Sequence, residues 1–278
     1  MTMNATPALN RSVANAAAPV VRLGGVDVVA LSRRDWADAV VRTALFQRAR
    51  GRLPYFFTSA NGNMLSRYAA SAEFRALVDQ ADAIDADGMP LVLASRWLTH
   101  TPVPERCATT DFFHDVAKEA AAHGVSFYML GGTEAVNAAA AARTQAMNPS
   151  LRIAGRRNGY FDAAEEADVV AAINAAKPDI LWVGLGVPHE HGFVVRNRAA
   201  LTNVGAIKTC GGLFDFIAGT ASRAPQWMQR LSLEWLYRLY LEPRRLFWRY
   251  ATTNVHCMWL LATRTSDVMP KHKFPSDY

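Results

Sequence analysis

The sequence predicts an α/β protein with a Rossmann-like, largely parallel sheet, helices on both faces and a C-terminal helical appendage that binds membrane. From about residue 21, short apolar, β-branched runs alternate with longer alanine-rich stretches of helical spacing, which is the pattern of α/β folds. Of 278 residues, 51% are hydrophobic and 19% are charged, so the chain can bury a core and is neither disordered nor fibrous.

The net charge of +6 is concentrated at one end of the chain. Residues 221–278 carry nine basic and four acidic side chains, whereas the preceding part is nearly neutral. We therefore divide the chain into a disordered leader (1–20), an α/β domain (21–220) and a basic, aromatic helical appendage (221–278). Such an appendage is expected to contact an anionic partner.

Cysteine content and hydropathy indicate the cellular compartment in which the protein works. Cys107, Cys210 and Cys257 are scattered and include no C-x-x-C pair, so neither a disulfide framework nor a zinc ribbon is expected, and a reducing cytoplasm fits best. The leader lacks the apolar stretch of a signal peptide. No apolar run is long enough to cross a bilayer, so we expect a protein that lies on a membrane without spanning it.

Five predicted strands end in small or polar residues. Because the carboxyl ends of parallel strands share one edge of the sheet, we expect the five loops to face one ligand pocket. The loops are 58–61 after Tyr55–Phe57, 85–88 after Ala83–Ile84, 131–134 after Phe127–Leu130, 184–188 after Ile180–Val183, and 210–212 after Ala206–Thr209.

Three of these loops contain paired or nearly paired glycines, which allow backbone N–H groups to approach phosphate. They are Gly131–Gly132, Gly184–Gly186 and Gly211–Gly212. A nucleotide diphosphate is the natural ligand, and the alternative is that each pair only forms a tight turn. The segment from Gly184 to His189 lacks the third glycine of the dinucleotide fingerprint, which disfavours NAD.

The appendage has helical spacing. Trp227, Leu231, Trp235 and Leu239 recur every four residues and predict a helix that starts near Ser222 and ends at Pro243. A second helix, 244–262, mixes arginine with aromatic residues, as surface helices in lipid headgroups do. Two alternatives stay open: helices packed on the body with solvated arginines, and an aromatic face that forms a homo-oligomer. No nucleic-acid motif is present, so no nucleic-acid partner is expected.

Ordered motifs over residues 22–262 closely resemble the WecG/TagA/CpsF family of bacterial glycosyltransferases. They are A-D-G-M-P (86–90), P-E-R (104–106), L-G-G (130–132), G-Y-F (159–161), G-G-L-F-D-F-I-A-G (211–219), R-A-P-x-W-M-Q-R (223–230), L-E-W-L-Y-R-L (233–239) and E-P-R-R (242–245).

The resemblance implies an inverting enzyme at the inner face of the plasma membrane. It would move a hexosyl or N-acetylhexosaminyl group, of the glucose or N-acetylmannosamine type, from a UDP-sugar to an undecaprenyl-diphosphate-linked saccharide. The product would enter exopolysaccharide or cell-surface polysaccharide. Such displacement needs a carboxylate to take the acceptor proton and cations to stabilise the leaving diphosphate, and arginine suits the second task.

Residue roles carried over by motif follow the same resemblance. Asp87 is implied as the base, with Arg106, Ser59 and Asn61 beside it. Donor binding is implied for Gly131, Gly132, Gly186, Glu190, Gly211, Gly212 and Asp215. Contacts with diphosphate, acceptor or membrane are implied for Arg223, Arg230, Arg238, Arg245 and Arg249.

Two departures from the family pattern stand out. Glu190 replaces a pocket glutamine, which leaves the donor undefined, and Thr109-Thr110-Asp111 lacks a customary glycine. The alternative role for Asp87 is a turn residue that caps the next helix.

Metal chemistry is not expected, although two patterns allow it. Asp85-x-Asp87 has the spacing that holds Mg²⁺ or Mn²⁺ in other glycosyltransferases. His189 and His191 flank Glu190 without forming a zinc motif, so we place them in the donor pocket or on a solvated helix start. The alternative function is a non-catalytic nucleotide-binding module that the basic tail docks to a membrane.

Overall fold

The computed structural model describes residues 18–225, 227–228, 233–271 and 273–275. Its main sheet has six parallel strands in the order β4-β3-β8-β7-β5-β6, which confirms the predicted α/β fold. Its strands are β3 (Tyr55–Ala60), β4 (Ala83–Ala86), β5 (Ser126–Gly131), β6 (Arg152–Arg157), β7 (Ile180–Gly184) and β8 (Ala206–Thr209).

Helices cover both faces of this sheet, as predicted. Successive strand residues point to opposite faces. Phe57 therefore packs with the helices at 33–49 and 109–122 on one face, and its neighbour Phe56 packs with the helices at 166–176 and 189–197 on the other. The helices are α1 (Arg33–Ala49), α2 (Gly62–Ala70), α3 (Ala72–Val78), α4 (Met89–Leu98), α5 (Thr109–Ala122), α6 (Glu134–Met147), α7 (Glu166–Ala176), α8 (His189–Asn197), α9 (Leu213–Ala218), α10 (Glu234–Leu241) and α11 (Pro243–Thr263).

The parallel order brings the five predicted loops to one edge of the sheet. Four strands are longer than predicted, however; β5 and β7 each extend by one residue, to Gly131 and Gly184. β3 runs to Ala60 and β4 to Ala86 because Ser59 pairs in register with Asp85. Ser59 and Asp85 are therefore strand residues, and the prediction that loops begin at 58 and 85 was wrong.

A small antiparallel sheet joins the two ends of the described chain. It has the order β2-β1-β9, formed by β1 (Val20–Leu23), β2 (Val26–Val29) and β9 (Ser266–Asp267). Beyond it, Phe274 packs edge-on against Trp36 of α1. The segment after α11 thus returns to the α/β body. Of the predicted leader, only residues 18–20 lie within the described range.

The appendage helices differ from the prediction in one respect. Residues 227 and 228 are helical, but Leu233 is not, so the predicted continuous helix is interrupted before α10. The Leu233 N–H donates to the carbonyl of Met228, five residues earlier, at 2.8 Å, which is a hydrogen bond typical of a helix end. The predicted break at Pro243 is confirmed, because Pro243 opens α11.

α11 packs on the body through one face and exposes the other. Cys257, Leu260 and Leu261 are buried in a cluster that includes Leu23 and Leu65. Among the described residues, no helix is long and apolar enough to cross a membrane.

Candidate active site

Asp87 lies immediately after β4, at the carboxyl edge of the sheet. Its N–H donates to the carbonyl of Ala60 at 2.8 Å, and its carboxylate accepts a hydrogen bond from the Thr109 hydroxyl at 2.9 Å. Helix α4 begins after Gly88 without any side-chain cap, so the alternative role of Asp87 as a helix cap is wrong. The carboxylate is held by α5 and remains partly open to the crevice.

Arg106 forms an ion pair with Asp87. Its Nη2 lies 3.6 Å from Asp87 Oδ1, and its Nε donates to the Asp87 carbonyl at 3.2 Å. Burial raises the pKa of Asp87 to about 6, and the Arg106 charge opposes this rise. Asp87 is thus ionised at neutral pH and has an affinity for protons well above that of a solvated aspartate.

Glu234 of the appendage completes this cluster, and sequence reasoning missed it. Its Oε2 accepts a hydrogen bond from Arg106 Nη1 at 2.8 Å, so Arg106 lies between two carboxylates. Glu234 stands in the L-E-W-L-Y-R-L motif, which was the available signal. The contact places α10 against the candidate site.

The two polar residues implied beside Asp87, Ser59 and Asn61, have different structural roles. Ser59 contacts Asp85 at 3.1 Å and Lys208 Nζ at 2.6 Å. The Asn61 side chain accepts a hydrogen bond from the Met64 N–H at 3.1 Å and so caps α2. Both lie at the end of β3 beside Asp87, but neither side chain forms a hydrogen bond with its carboxylate.

The structure gives Asp85 a partner that the sequence did not indicate. Lys208 Nζ lies 2.5 Å from Asp85 Oδ2, and both side chains are buried. An ammonium group therefore occupies the coordinating face of Asp85, which does not fit the Asp85-x-Asp87 metal alternative. Among the described residues, no cluster of three or more His, Cys, Asp or Glu could hold a metal ion.

The glycine turns face the same edge. Gly131 has φ of 143°, and a Cβ there would lie 2.2 Å from the carbonyl oxygen of Gly184, so only glycine allows β5 and β7 to meet at this point. Asn137 donates to the Gly131 carbonyl at 2.8 Å and fixes the turn. Gly132, Gly186, Gly211 and Gly212 lie in the turns of the same edge.

Glu190 is buried at the start of α8 and faces one of these turns. Its Oε2 accepts a hydrogen bond from the Gly211 N–H at 2.9 Å. Burial raises the pKa of Glu190 to about 7. A backbone donor predicted to meet phosphate is therefore already bonded to a carboxyl group that titrates near neutral pH.

His191 is a core residue, which corrects the expectation that it lines the donor pocket or a solvated helix start. It is 1% exposed, and its Nε2 lies 2.8 Å from the Thr58 hydroxyl. Burial lowers its pKa to about 4, so the ring is neutral. Its neighbour His189 is exposed at the first position of α8, which agrees with the expectation of a solvated helix start.

The remaining predicted residues are spread around the edge. Asp215 lies in the first turn of α9, and Arg223 pairs with Asp111 at 2.6 Å, which ties the start of the appendage to α5. Arg230 lies outside the described residues. Arg238 belongs to α10, and Arg245 and Arg249 belong to α11, but their side chains are also outside what the structure describes.

A parallel sheet with an acid–arginine pair and glycine turns at its carboxyl edge defines the class of open α/β enzymes, whose ligands bind in that crevice. The chain belongs to the glycosyl transferase WecG/TagA/CpsF family, whose sequence model matches residues 21–268. This confirms the resemblance found in the sequence motifs, and it identifies the class of enzyme as a glycosyltransferase.

Three curated relatives share the name N-acetylglucosaminyldiphosphoundecaprenol N-acetyl-beta-D-mannosaminyltransferase. The protein of Bacillus subtilis strain 168 is 32% identical over 169 residues, which is 61% of this chain and 64% of the relative. That of Bacillus spizizenii is 32% identical over 195 residues, 70% of this chain and 73% of the relative. That of Staphylococcus aureus MRSA252 is 28% identical over 191 residues, 69% and 74% of the two chains.

Proposed function

We propose that this chain transfers a hexosyl or N-acetylhexosaminyl group, with inversion, from a UDP-sugar to an undecaprenyl-diphosphate-linked saccharide. The observation that carries the proposal is the contact of Asp87 with Arg106 at the carboxyl edge of the sheet, 3.6 Å apart. A partly buried acid beside a cation suits a reaction in which a proton is accepted while negative charge develops on a leaving group.

In the proposed reaction, Asp87 accepts the proton of the acceptor hydroxyl as that oxygen attacks the anomeric carbon. The bond from that carbon to the UDP oxygen breaks, and UDP leaves from the opposite face. Arg106 contributes positive charge for the diphosphate, but it is now shared with Asp87 and Glu234. Diphosphate must therefore compete with two carboxylates for this guanidinium.

The relatives' name supports N-acetylmannosamine as the first donor to test and N-acetylglucosaminyl-diphosphoundecaprenol as the first acceptor. Glucose is the second donor, because Glu190 stands where the family commonly has glutamine. A carboxyl group with a pKa of about 7 presents a different set of donors and acceptors from an amide. The polymer that receives the product is either an exopolysaccharide or another cell-surface polysaccharide.

The reaction is proposed to need no metal ion. Asp85 is engaged by Lys208, so Asp85 is not available as a second coordinating carboxylate beside Asp87. The cationic groups proposed to act on the diphosphate are arginines, which carry their charge at every working pH.

The appendage is proposed to hold the enzyme at the cytoplasmic face of the membrane, where the lipid-linked acceptor lies. Large apolar side chains on α10 and α11 are exposed to solvent. They are Trp235, Leu236, Tyr240, Leu241, Phe247, Trp248, Val255, Met258 and Trp259. Aromatic side chains beside arginines suit a lipid headgroup region. Glu234, which contacts Arg106, belongs to the same helices.

A panel of UDP-sugars tests the proposal against undecaprenyl-diphosphate-linked N-acetylglucosamine and glucose, each with and without EDTA. We expect UDP release that requires the acceptor, selects one donor and survives EDTA. Binding of UDP-sugar without any acceptor-dependent UDP release would favour the non-catalytic alternative, which family membership already disfavours. Loss of turnover with EDTA and its return with Mg²⁺ would contradict metal independence.

A further inference from the structure

A buried lysine lies beneath the candidate base, and the proposed reaction gives it no task. Lys208 of β8 is 0% exposed. Its ammonium group is 2.5 Å from Asp85 Oδ2 and 2.6 Å from Ser59 Oγ. Its other close neighbour is the ring of Phe112, whose centroid is 5.7 Å from Nζ.

Burying this ion pair costs free energy, and the need to fill the space does not explain why the pair is there. Removing two charges from water costs several kcal/mol per ion, and well-packed apolar residues often stabilise such a place equally well. One oxygen of the pair, Asp85 Oδ1, is buried without a hydrogen-bond partner among the described residues. A buried carboxylate with an unpaired oxygen does not favour stability, so we look for a functional role for it.

The register of three strands places the pair next to the site. Ser59 of β3 pairs with Asp85 of β4, and Phe57 of β3 pairs with Lys208 of β8. The Lys208 side chain thus reaches forward along the sheet, toward its carboxyl edge. Asp85 precedes Asp87 by two residues, so one extended backbone carries both carboxylates.

We propose that the Lys208–Asp85 ion pair is a positioning element of the active site. It holds the Ser59 hydroxyl in place and puts one charge of each sign near the Asp87 carboxylate. This inference rests on the proposed function. Neither residue of the pair is exposed to the crevice, so they act on the reaction through Ser59 and Asp87 and not by touching substrate.

Several charged groups act on Asp87 from the surrounding elements. After burial, the strongest influences on its pKa are the Arg106 charge, which lowers it, and the Asp85 charge, which raises it; the Thr109 hydrogen bond and Lys208 lower it less. Glu234 approaches through Arg106. Burial also raises the pKa of the nearby Cys107 thiol well above its ordinary value, so the thiol adds no charge. Asp85 therefore raises the pKa of Asp87 and Lys208 lowers it, and the effect of Asp85 is the larger of the two.

The test compares the full-length wild type with D85N, with the double variant D85N/K208M, and with D82N as the matched control. Asp82 also forms an ion pair, with Arg198, and both side chains are partly buried. Asp82 immediately precedes β4, so this pair lies at the amino edge of the sheet, opposite Asp87. The Asp87 carboxyl is titrated by ¹³C NMR in aspartate-labelled protein, and its signal is assigned with D87N. The pH dependence of kcat/KM is measured in parallel on the most active donor.

We expect D85N to lower the pKa of Asp87 by about one unit, because it leaves the lysine charge unopposed. The double variant should lower it by about half as much, because both influences are removed, and D82N should leave it unchanged. The acid limb of kcat/KM should move with the titration. These shifts are not expected of a pair that only stabilises the fold.

The same Asp87 titration in wild type and in the folded variants would overturn the proposal. If D85N fails to fold, the double variant decides, since removing both charges at a buried pair is often tolerated; a wild-type titration in that variant would also overturn it. The NMR measurement needs no substrate. Shifted titrations in a protein without transferase activity would therefore support the charge coupling and contradict the proposed function.

Discussion

Replacing Arg106 by methionine should move the acid limb of the pH–rate profile upward. Arg106 Nη2 is 3.6 Å from Asp87 Oδ1, and two charges at this separation interact by about 1 to 4 kcal/mol between the limits of water and a protein surface. Both side chains are partly exposed, so we take about 2 kcal/mol after screening, which equals about 1.5 pKa units.

The consequence for activity follows from the sign of this shift. Asp87 acts as a base only when ionised, and its pKa is about 6, so about nine-tenths of the wild type is competent at pH 7. A pKa near 7.5 leaves about one quarter. Ionisation alone therefore costs about fourfold in kcat/KM at pH 7, and this part should be recovered at pH 9, whereas any loss of diphosphate binding should persist.

The assay is acceptor-dependent UDP release between pH 5 and pH 9. R106K keeps a positive charge and should leave the acid limb near that of the wild type. R196M is the matched control, because Arg196 forms its ion pair with Glu166 between α7 and α8, away from Asp87. An acid limb that stays near pH 6 in R106M would refute the reasoning that Arg106 controls the ionisation of Asp87.

Two further predictions concern buried groups around α8. Glu190 ionises near pH 7 beside the Gly211 N–H, so KM for the UDP-sugar should rise about three- to tenfold from pH 6 to pH 8 as the carboxylate repels phosphate. E190Q should flatten this rise, and an equal rise in E190Q would exclude Glu190 as its cause. The pKa of folded His191 is lowered to about 4 by burial, below its unfolded value near 6.5. Its contribution to stability is therefore present above pH 6.5 and lost as the pH falls toward 4, by up to about 3 kcal/mol. Denaturant unfolding should show a smaller acid loss in H191Q than in wild type, and identical pH dependence would contradict this assignment.

Much of the sheet could be predicted because five of its six strands are buried on both faces and appear as short apolar runs. The edge strand β6 is partly exposed and has no such run, so it was missed. The ends of β3 and β4 could not. Ser59 and Asp85 are polar, and polar residues after an apolar run usually begin a loop; here they continue the strands because Lys208 satisfies them from β8, more than a hundred residues along the chain. The antiparallel strand β9 is two residues long and has no pattern of its own.

Those residues of the candidate site that belong to motifs at the ends of strands could be predicted from the sequence. Asp87 and the glycine turns lie together because parallel strands present their carboxyl ends at one edge, and Arg106 reaches the same edge from the loop between α4 and α5. The contact of Arg106 with Glu234 joins residues 128 positions apart, and no local spacing indicates it. His191 carries no signal that separates a core histidine from one in a pocket, since burial depends on Thr58 and on helix packing.

Single-turnover transfer by D87N tests the central claim most directly. Asparagine keeps the shape of Asp87 and can still accept the Thr109 hydrogen bond, but it cannot take a proton from the acceptor. We expect UDP-sugar binding within about twofold of wild type and a transfer rate lower by at least about a hundredfold. Transfer at the wild-type rate by a folded D87N protein would contradict the account.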